Sequence, residues 1–348
     1  MSDTNQKILD MIISKKTANE ICSETGLSNK QLFHRLNMLK IKGYNFSRKY
    51  YYNGNIVYKL DKGFTTEKDI ALMTTSKDQE FKAIFISDLH LSSEKERLDL
   101  LDEAYNLGIK ENIHIIINCG DFINGLIGPG KKKHKTYEDQ IEYALKIHPF
   151  DKNILNFICL GNHDYKSLET TGQNIKTALE YRRHDIVPLG YGSGTLKIKN
   201  DEIIVTHPET PKDNNIGSVN HRLILIGHTH VSKTKTSNNG NVSLYIPSLS
   251  DLSLNQNGLP SLIKATISFN QGYFDIGDFE QFVFVSKHMY KVNESRFILN
   301  LGRKKGESTI MYEENFVDPM HSEEPETTQK VLTKPSQIEK FNNKYRKS

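Results

Sequence analysis

Five short blocks, each directly after a run of apolar residues, constrain this chain more than any other feature. They are Asp88-Leu89-His90 behind residues 82–87, Gly120-Asp121 behind 114–118, and Gly161-Asn162-His163-Asp164 behind 153–160. The last two are His207 behind 203–206 and Gly227-His228-Thr229-His230 behind 223–226. Short apolar runs bounded by turn formers read as buried strands. Each block therefore sits at the carboxyl end of a strand, where α/β sheets gather their ligands. The fold has to bring five strand ends to one rim. The blocks offer two Asp, one Asn and four His as ligands, with one further His left over. That set can hold two divalent cations side by side, which points to phosphate ester hydrolysis.

Between the blocks the period changes to that of helices. Residues 94–107 place Leu98, Leu100, Leu101 and Tyr105 on one face, and helices are also expected over 136–147 and 174–183. Strands alternating with helices imply a largely parallel sheet. From about residue 242 only strands and turns follow, at 242–246, 263–270, 273–276 and 281–287, which suggests a second sheet packed on the first. The expected catalytic domain spans 81–300. The tail 301–348 is rich in Lys, Glu, Ser, Thr and Pro and is expected to be disordered.

Residues 1–62 have a different character. Apolar faces mark helices over 5–14, 18–25 and 29–42, with Thr17 and Ser28 as caps and Leu32, Leu36 and Leu39 buried. Two β-prone runs follow, 46–52 and 55–60, joined by Asn53-Gly54, the pair best suited to a type I′ turn. Three helices and a hairpin resemble a winged helix-turn-helix domain. Residues 63–80 then read as a linker with one helical turn near 67–73. The first 62 residues hold eleven Lys or Arg against five Asp or Glu, a net of +6, whereas the whole chain is only +4. Lys30, Gln31, His34, Arg35 and Lys40 on the third helix, with Arg48 and Lys49 on the wing, are candidate contacts to a phosphate backbone. Protein docking or dimerisation is the other use of such a module.

The three cysteines, Cys22, Cys119 and Cys159, are scattered and suggest neither a disulfide framework nor a CxxC site. The first sixteen residues lack the apolar stretch of a signal peptide, and no run approaches the ~20 apolar residues that span a bilayer. The expectation is a soluble, cytoplasmic protein that does not engage membranes.

The order D-x-H, G-D, G-N-H-D, H, G-H-x-H resembles the calcineurin-like metallophosphoesterases over roughly residues 81–290. That resemblance implies an α/β fold, a four-layer αββα sandwich, here with a small N-terminal winged-helix domain. It also implies that Asp88, His90 and His230 hold one metal, that Asn162, His207 and His228 hold the other, and that Asp121 bridges both. The nucleophile would be a hydroxide shared by the two ions, and His163 would protonate the leaving group. The mixed imidazole and carboxylate set favours Mn, with Fe, Zn or Ni as alternatives. Many members carry an Asp three residues after the bridging Asp to support that His. Here the position is Asn124, so Asp164 is a candidate to supply the carboxylate.

The substrate is less legible. Gly128–Lys135 carries four Lys in five positions after the Asp121 block, and Lys131, Lys132 and Lys133 would attract a polyanion. The first expectation is a phosphodiesterase or nuclease acting on DNA or RNA. A small-molecule phosphatase or cyclic-nucleotide phosphodiesterase is the second. A DNA-binding regulator with a phosphoesterase-like sensor domain is the third.

Overall fold

The computed structural model describes residues 3–61, 70–75, 77–127, 132–208, 223–237, 241–256, 258–286, 288–299 and 312–314. Three helices open the chain: α1 (Asp3–Ile13), α2 (Ala18–Thr25) and α3 (Asn29–Ile41). Thr17 and Ser28 each close a capping box, with Glu20 and Gln31 as the reciprocal partners. Gly26, at φ +71°, supplies the left-handed turn between α2 and α3. The hairpin β1 (Asn45–Tyr51) and β2 (Ile56–Asp61) follows, and then β3 (Ile70–Met73).

The elements of the central part are β4 (Glu80–Ile86), α4 (Leu98–Lys110), β5 (Ile115–Asn118), α5 (Tyr137–Ile147), β6 (Leu155–Leu160), α6 (Asn162–Thr171) and α7 (Ile175–Arg182). They continue as β7 (Ile186–Tyr191), β8 (Ser193–Ile198), β9 (Asp201–Thr206), β10 (Leu223–Ile226), β11 (Lys233–Thr236) and β12 (Val242–Tyr245). Three long antiparallel strands follow, β13 (Ser261–Asn270), β14 (Tyr273–Val285) and β15 (His288–Ile298), with a short β16 (Tyr312–Glu314) at the edge.

Two eight-stranded sheets result. One has the order β16-β15-β14-β13-β4-β5-β6-β7, and the other β11-β12-β10-β9-β8-β3-β1-β2. The strands therefore divide differently from the expectation of one early and one late sheet. β12 pairs in parallel with β10, while β13 to β15 extend the sheet of the first blocks, because β13 takes the free edge of β4 with Ile263 opposite Phe85. Alternation along β4 sets the layers. Phe81, Ala83 and Phe85 face the second sheet, with Leu196, Val205 and Leu225 in the same core, while Ile84 and Ile86 face α4 and α5 through Leu100, Leu101 and Ile141. Among the described residues no α-helix lies between 193 and 250, so the outer layer over β9 and β10 is not part of the described fold.

Ile70–Met73 is a strand rather than a helical turn, and it pairs in parallel with both β1 and β8. The hairpin thus forms the edge of a sheet that continues to β9 and β10. Ile8, Ile21, Leu32 and Leu36 share one apolar core with Phe157 and Val205. Residues 63–69 of the expected linker lie outside the described residues. In the expected disordered tail, Tyr312–Glu314 is a strand paired with β15, and 301–311 and 315–348 lie outside the described residues.

Candidate metal centre

Parallel strands β4, β5 and β6 in one sheet, and β9 and β10 in the other, end at the same rim. Asp88 and His90 follow β4, Asp121 follows β5, and Asn162 and His163 open α6 directly after β6. His207 follows β9, and His228 and His230 follow β10. The sequence reading placed no helix at 162–171. Its first residue is a candidate ligand, so the helix fixes that side chain.

Three groups of ligand atoms converge: Asp88, His90 and His230; His90, Asp121 and His163; Asp121, His207 and His228. Asp121 belongs to two of them. Its Oδ2 lies 3.1 Å from His207 Nε2 and 3.6 Å from His90 Nε2, and Asp88 Oδ1 lies 3.1 Å from His230 Nε2. Asp88, His90, Asp121 and His207 are all essentially buried. Within this cluster Asp88 Oδ1, His90 Nδ1 and Nε2, Asn162 Oδ1 and His207 Nε2 are buried without a hydrogen-bond partner. Buried polar atoms are nearly always satisfied, so these orphans need a partner, and these donor types suit a divalent cation. The residues present fit two such ions.

The backbone is bent to make this cluster. Asp88, His90, Asp121, His228 and His230 all have φ between +44° and +75°, a region that non-glycine residues seldom occupy. Such conformations persist only where the surroundings enforce them. The glycines beside the ligands serve in two ways. Gly120 has φ +115°, and a Cβ there would also lie 2.2 Å from His207 Nδ1. At Gly161 and Gly227 space is the reason, since added Cβ atoms would lie 2.2 Å from Asp121 Oδ1 and 2.3 Å from the Cys119 carbonyl.

The ligand side chains are held from behind. His207 Nδ1 donates to the Cys119 carbonyl at 2.7 Å, which turns Nε2 inward. Ser87 Oγ and the His228 N–H donate to Asp88 Oδ2, and the His163 N–H donates to Asp121 Oδ1. Ser248 Oγ donates to the Asp88 carbonyl. Asn118 Oδ1 accepts from the Gly120 N–H, and Thr206 Oγ1 donates to the Gly192 carbonyl, so both brace loops instead of touching ligands. The sequence reading missed Ser87, Ser248 and the Cys119 carbonyl. Position next to a block, or at the end of β12, was the only signal, and a backbone carbonyl has none.

One expectation about the proton donor changes. Asp164 does not meet His163. Its carboxylate accepts the backbone N–H groups of Phe122, Ile123 and Gly161, and so ties the Asp121 loop to the start of α6. His163 Nδ1 instead donates to the backbone carbonyl of Asn124 at 2.5 Å, while the Asn124 side chain turns to Gly125. His163 Nε2 faces the cluster, 3.9 Å from Asp121 Oδ2.

The electrostatics follow the packing. Burial alone would raise the Asp88 carboxyl, but His207, with His230 and His90 close by, outweighs it and holds Asp88 well below the usual range. Asp121 is lowered against its burial by His207, His90 and His163. His207 is pushed up to about 10 by Asp121 and Asp88 despite burial that would lower it. His90 is lowered by burial. Two buried anions at the centre are the charge distribution that a cation completes.

The candidate nucleic-acid contacts divide. Lys30, His34 and Lys49 are exposed. Gln31 serves the capping box, and Arg35 donates to Asn5. Lys40 lies over the Tyr181 ring and Arg48 over Phe33, so both turn toward the body of the protein, where α3 meets α7. Lys133 pairs with buried Glu96, Lys132 forms a strand-like bridge to Ser93, and Lys131 lies outside the described residues. Among the described residues no helix is long and apolar enough to cross a membrane.

Residues 81–232 match the model of the calcineurin-like phosphoesterase family. No curated protein sequence matches the chain. Similar solved structures include Yfce, a phosphoesterase from E. coli, at 15% identity and TM-score 0.36, covering 56% of this chain and 96% of that one. The nuclease MPE of Pseudomonas putida is similar at 15% identity and TM-score 0.32, with 60% and 87% covered. A dimetal phosphatase from Danio rerio is similar at 12% identity and TM-score 0.35, with 57% and 95% covered. The protein is a metal-dependent hydrolase of ester bonds, and its residues 81–232 match the calcineurin-like phosphoesterase family.

Proposed function

We propose that Asp88, His90 and His230 hold one divalent cation, that Asn162, His207 and His228 hold a second, and that Asp121 is shared. The observation that carries this reading is the set of buried, unpartnered ligand atoms on Asp88, His90, Asn162 and His207. Cations held by these residues would supply Lewis acidity toward a phosphoryl group and lower the pKa of water. The protein's own part is to fix the ligands through Cys119, Ser87 and Asp164, and to aim His163 Nε2 into the cluster, where it protonates the leaving oxygen. Mn is the first candidate, ahead of Fe, Zn and Ni.

The substrate we infer is a phosphodiester of a nucleic acid in the cytoplasm. Support comes from the net charge of +6 on residues 1–62, which are joined to the catalytic unit through one continuous sheet. The experiment is to offer Mn-loaded protein labelled single- and double-stranded DNA and RNA beside bis-p-nitrophenyl phosphate and p-nitrophenyl phosphate. Cleavage of a polymer and of the diester supports the reading. Turnover of small esters alone contradicts the nucleic-acid part and leaves the phosphoesterase part standing.

A further inference from the structure

A groove of about 1120 Å³ runs between the start of α3 and the outer faces of α5 and α7. Its walls are unevenly charged. Arg182 is paired with Glu142 and Arg183 with Asp185, so those four cancel. Lys30, Lys146 and Lys152 remain. All three line the groove, are exposed, and form no ion pair with a described residue. The one other acid in the lining, Asp139, accepts from Thr136 Oγ1 at 2.7 Å. Phe150 also lines the groove with 48% of its surface exposed, its ring edge-on to His184.

One lining residue of the groove touches the loop that carries His90. His134 is a lining residue, and its Nδ1 lies 2.8 Å from the hydroxyl of Ser92, two residues after His90. The His134 ring packs on Tyr143, whose hydroxyl donates to Glu96, and Glu96 accepts the Ser92 N–H. Lys133 pairs with the same Glu96. The loop after His90 is therefore tied to the groove lining through His134 and Tyr143.

We propose that this groove binds a single-stranded nucleic-acid segment and leads it toward the Asp88–His90 rim. The inference rests on the nucleic-acid reading above. Unpaired lysines along a channel follow a phosphate backbone, and an exposed aromatic face stacks a base. Phe150 favours a single strand, because a duplex buries the faces of its bases. The N-terminal module then contributes to the binding channel, with Lys30 lining the same groove as Lys146 and Lys152.

The test uses the full-length Mn-loaded protein. Binding of fluorescein-labelled single-stranded DNA and RNA, and of the same sequences as duplexes, is followed by anisotropy across a salt series, for the wild type, Lys146→Glu/Lys152→Glu and Phe150→Ala. The double variant is expected to bind about tenfold or more weaker, with a log–log salt slope smaller by about 1.4, or ~0.7 per lost phosphate contact. Phe150→Ala is expected to bind about fivefold or more weaker with an unchanged slope. Hydrolysis of bis-p-nitrophenyl phosphate, too small to span the groove, reports the fold and the metal centre. Unaltered oligonucleotide affinity and slope in both variants, with the wild type binding, would overturn the groove alone. Equal weakening for duplex and single strand would overturn the single-strand assignment. A wild type that turns over the small diester yet binds no oligonucleotide contradicts the nucleic-acid reading, and the groove proposal with it.

Discussion

The Asp164 carboxylate accepts the backbone N–H of Ile123 at 2.9 Å, across the gap between the loop after β5 and the first turn of α6. It also takes the N–H groups of Phe122 and Gly161, so one buried side chain holds two ligand-bearing segments in register. Asp164→Ala leaves three buried donors without a partner, at about 1–3 kcal/mol each. We expect a loss of about 3 kcal/mol or more in urea unfolding, with metal affinity down about tenfold or more, as for other groups that support metal ligands. Unchanged stability and Mn affinity would show that the clamp is incidental.

Gly161 and Gly172 differ in a way that substitution can read. A Cβ on Gly161 would collide with Asp121, whereas Gly172, at φ +72°, has open space around it. Gly172→Ala should cost about 1 kcal/mol of backbone strain and leave activity intact. Gly161→Ala should displace Asp121 and abolish hydrolysis of bis-p-nitrophenyl phosphate. Comparable activity in the two variants would mean that the Asp121 loop tolerates displacement.

The orientation of His163 depends on a carbonyl, not on the side chain at 124. Asn124→Ala should therefore leave turnover nearly unchanged. His163→Asn should lose about 10²-fold or more with alkyl leaving groups, and much less with p-nitrophenolate, which departs without a proton. An equal loss with both leaving groups would remove His163 from the proton-donor role.

Two histidines away from the metal centre set an acid limit. Burial, with Arg183 nearby, lowers His148 to about 3, and burial lowers His184 to about 4. Both folded values lie below the unfolded ~6.5, so the unfolded chain takes up protons that the folded chain refuses. Their contribution is fully present above pH ~6.5 and is lost as pH falls toward their folded values, by up to about 1.4 kcal/mol per pH unit for each group. Urea midpoints at pH 7.5, 6.5 and 5.5 should fall more steeply for the wild type than for His148→Gln/His184→Gln. Parallel curves would contradict the assignment.

The strand-end blocks were legible because each is a local pattern: an apolar run, then ligand types, then a turn. Thr17, Ser28, Thr136 and Asn174 marked helix starts for the same reason. What escaped is non-local or carried by the backbone. Four residues, Ile70–Met73, join the N-terminal hairpin to β8, and nothing in so short a run names its partners. The inward turn of Lys40 and Arg48 depends on Tyr181 and Phe33, which periodicity cannot place. Cys119 and Asn124 act through main-chain carbonyls, which every residue has. Asp164 was singled out for its carboxylate, but its partners are N–H groups some forty positions upstream.

In the proposed two-cation centre Asp121 is the ligand common to both ions. Metal content by mass spectrometry after Mn loading and gel filtration, for the wild type and Asp121→Ala, tests that sharing most directly. Two Mn per wild-type chain and fewer than one in Asp121→Ala are expected, because both ions lose a common ligand. One Mn or none in the wild type, or two retained in the variant, would contradict it.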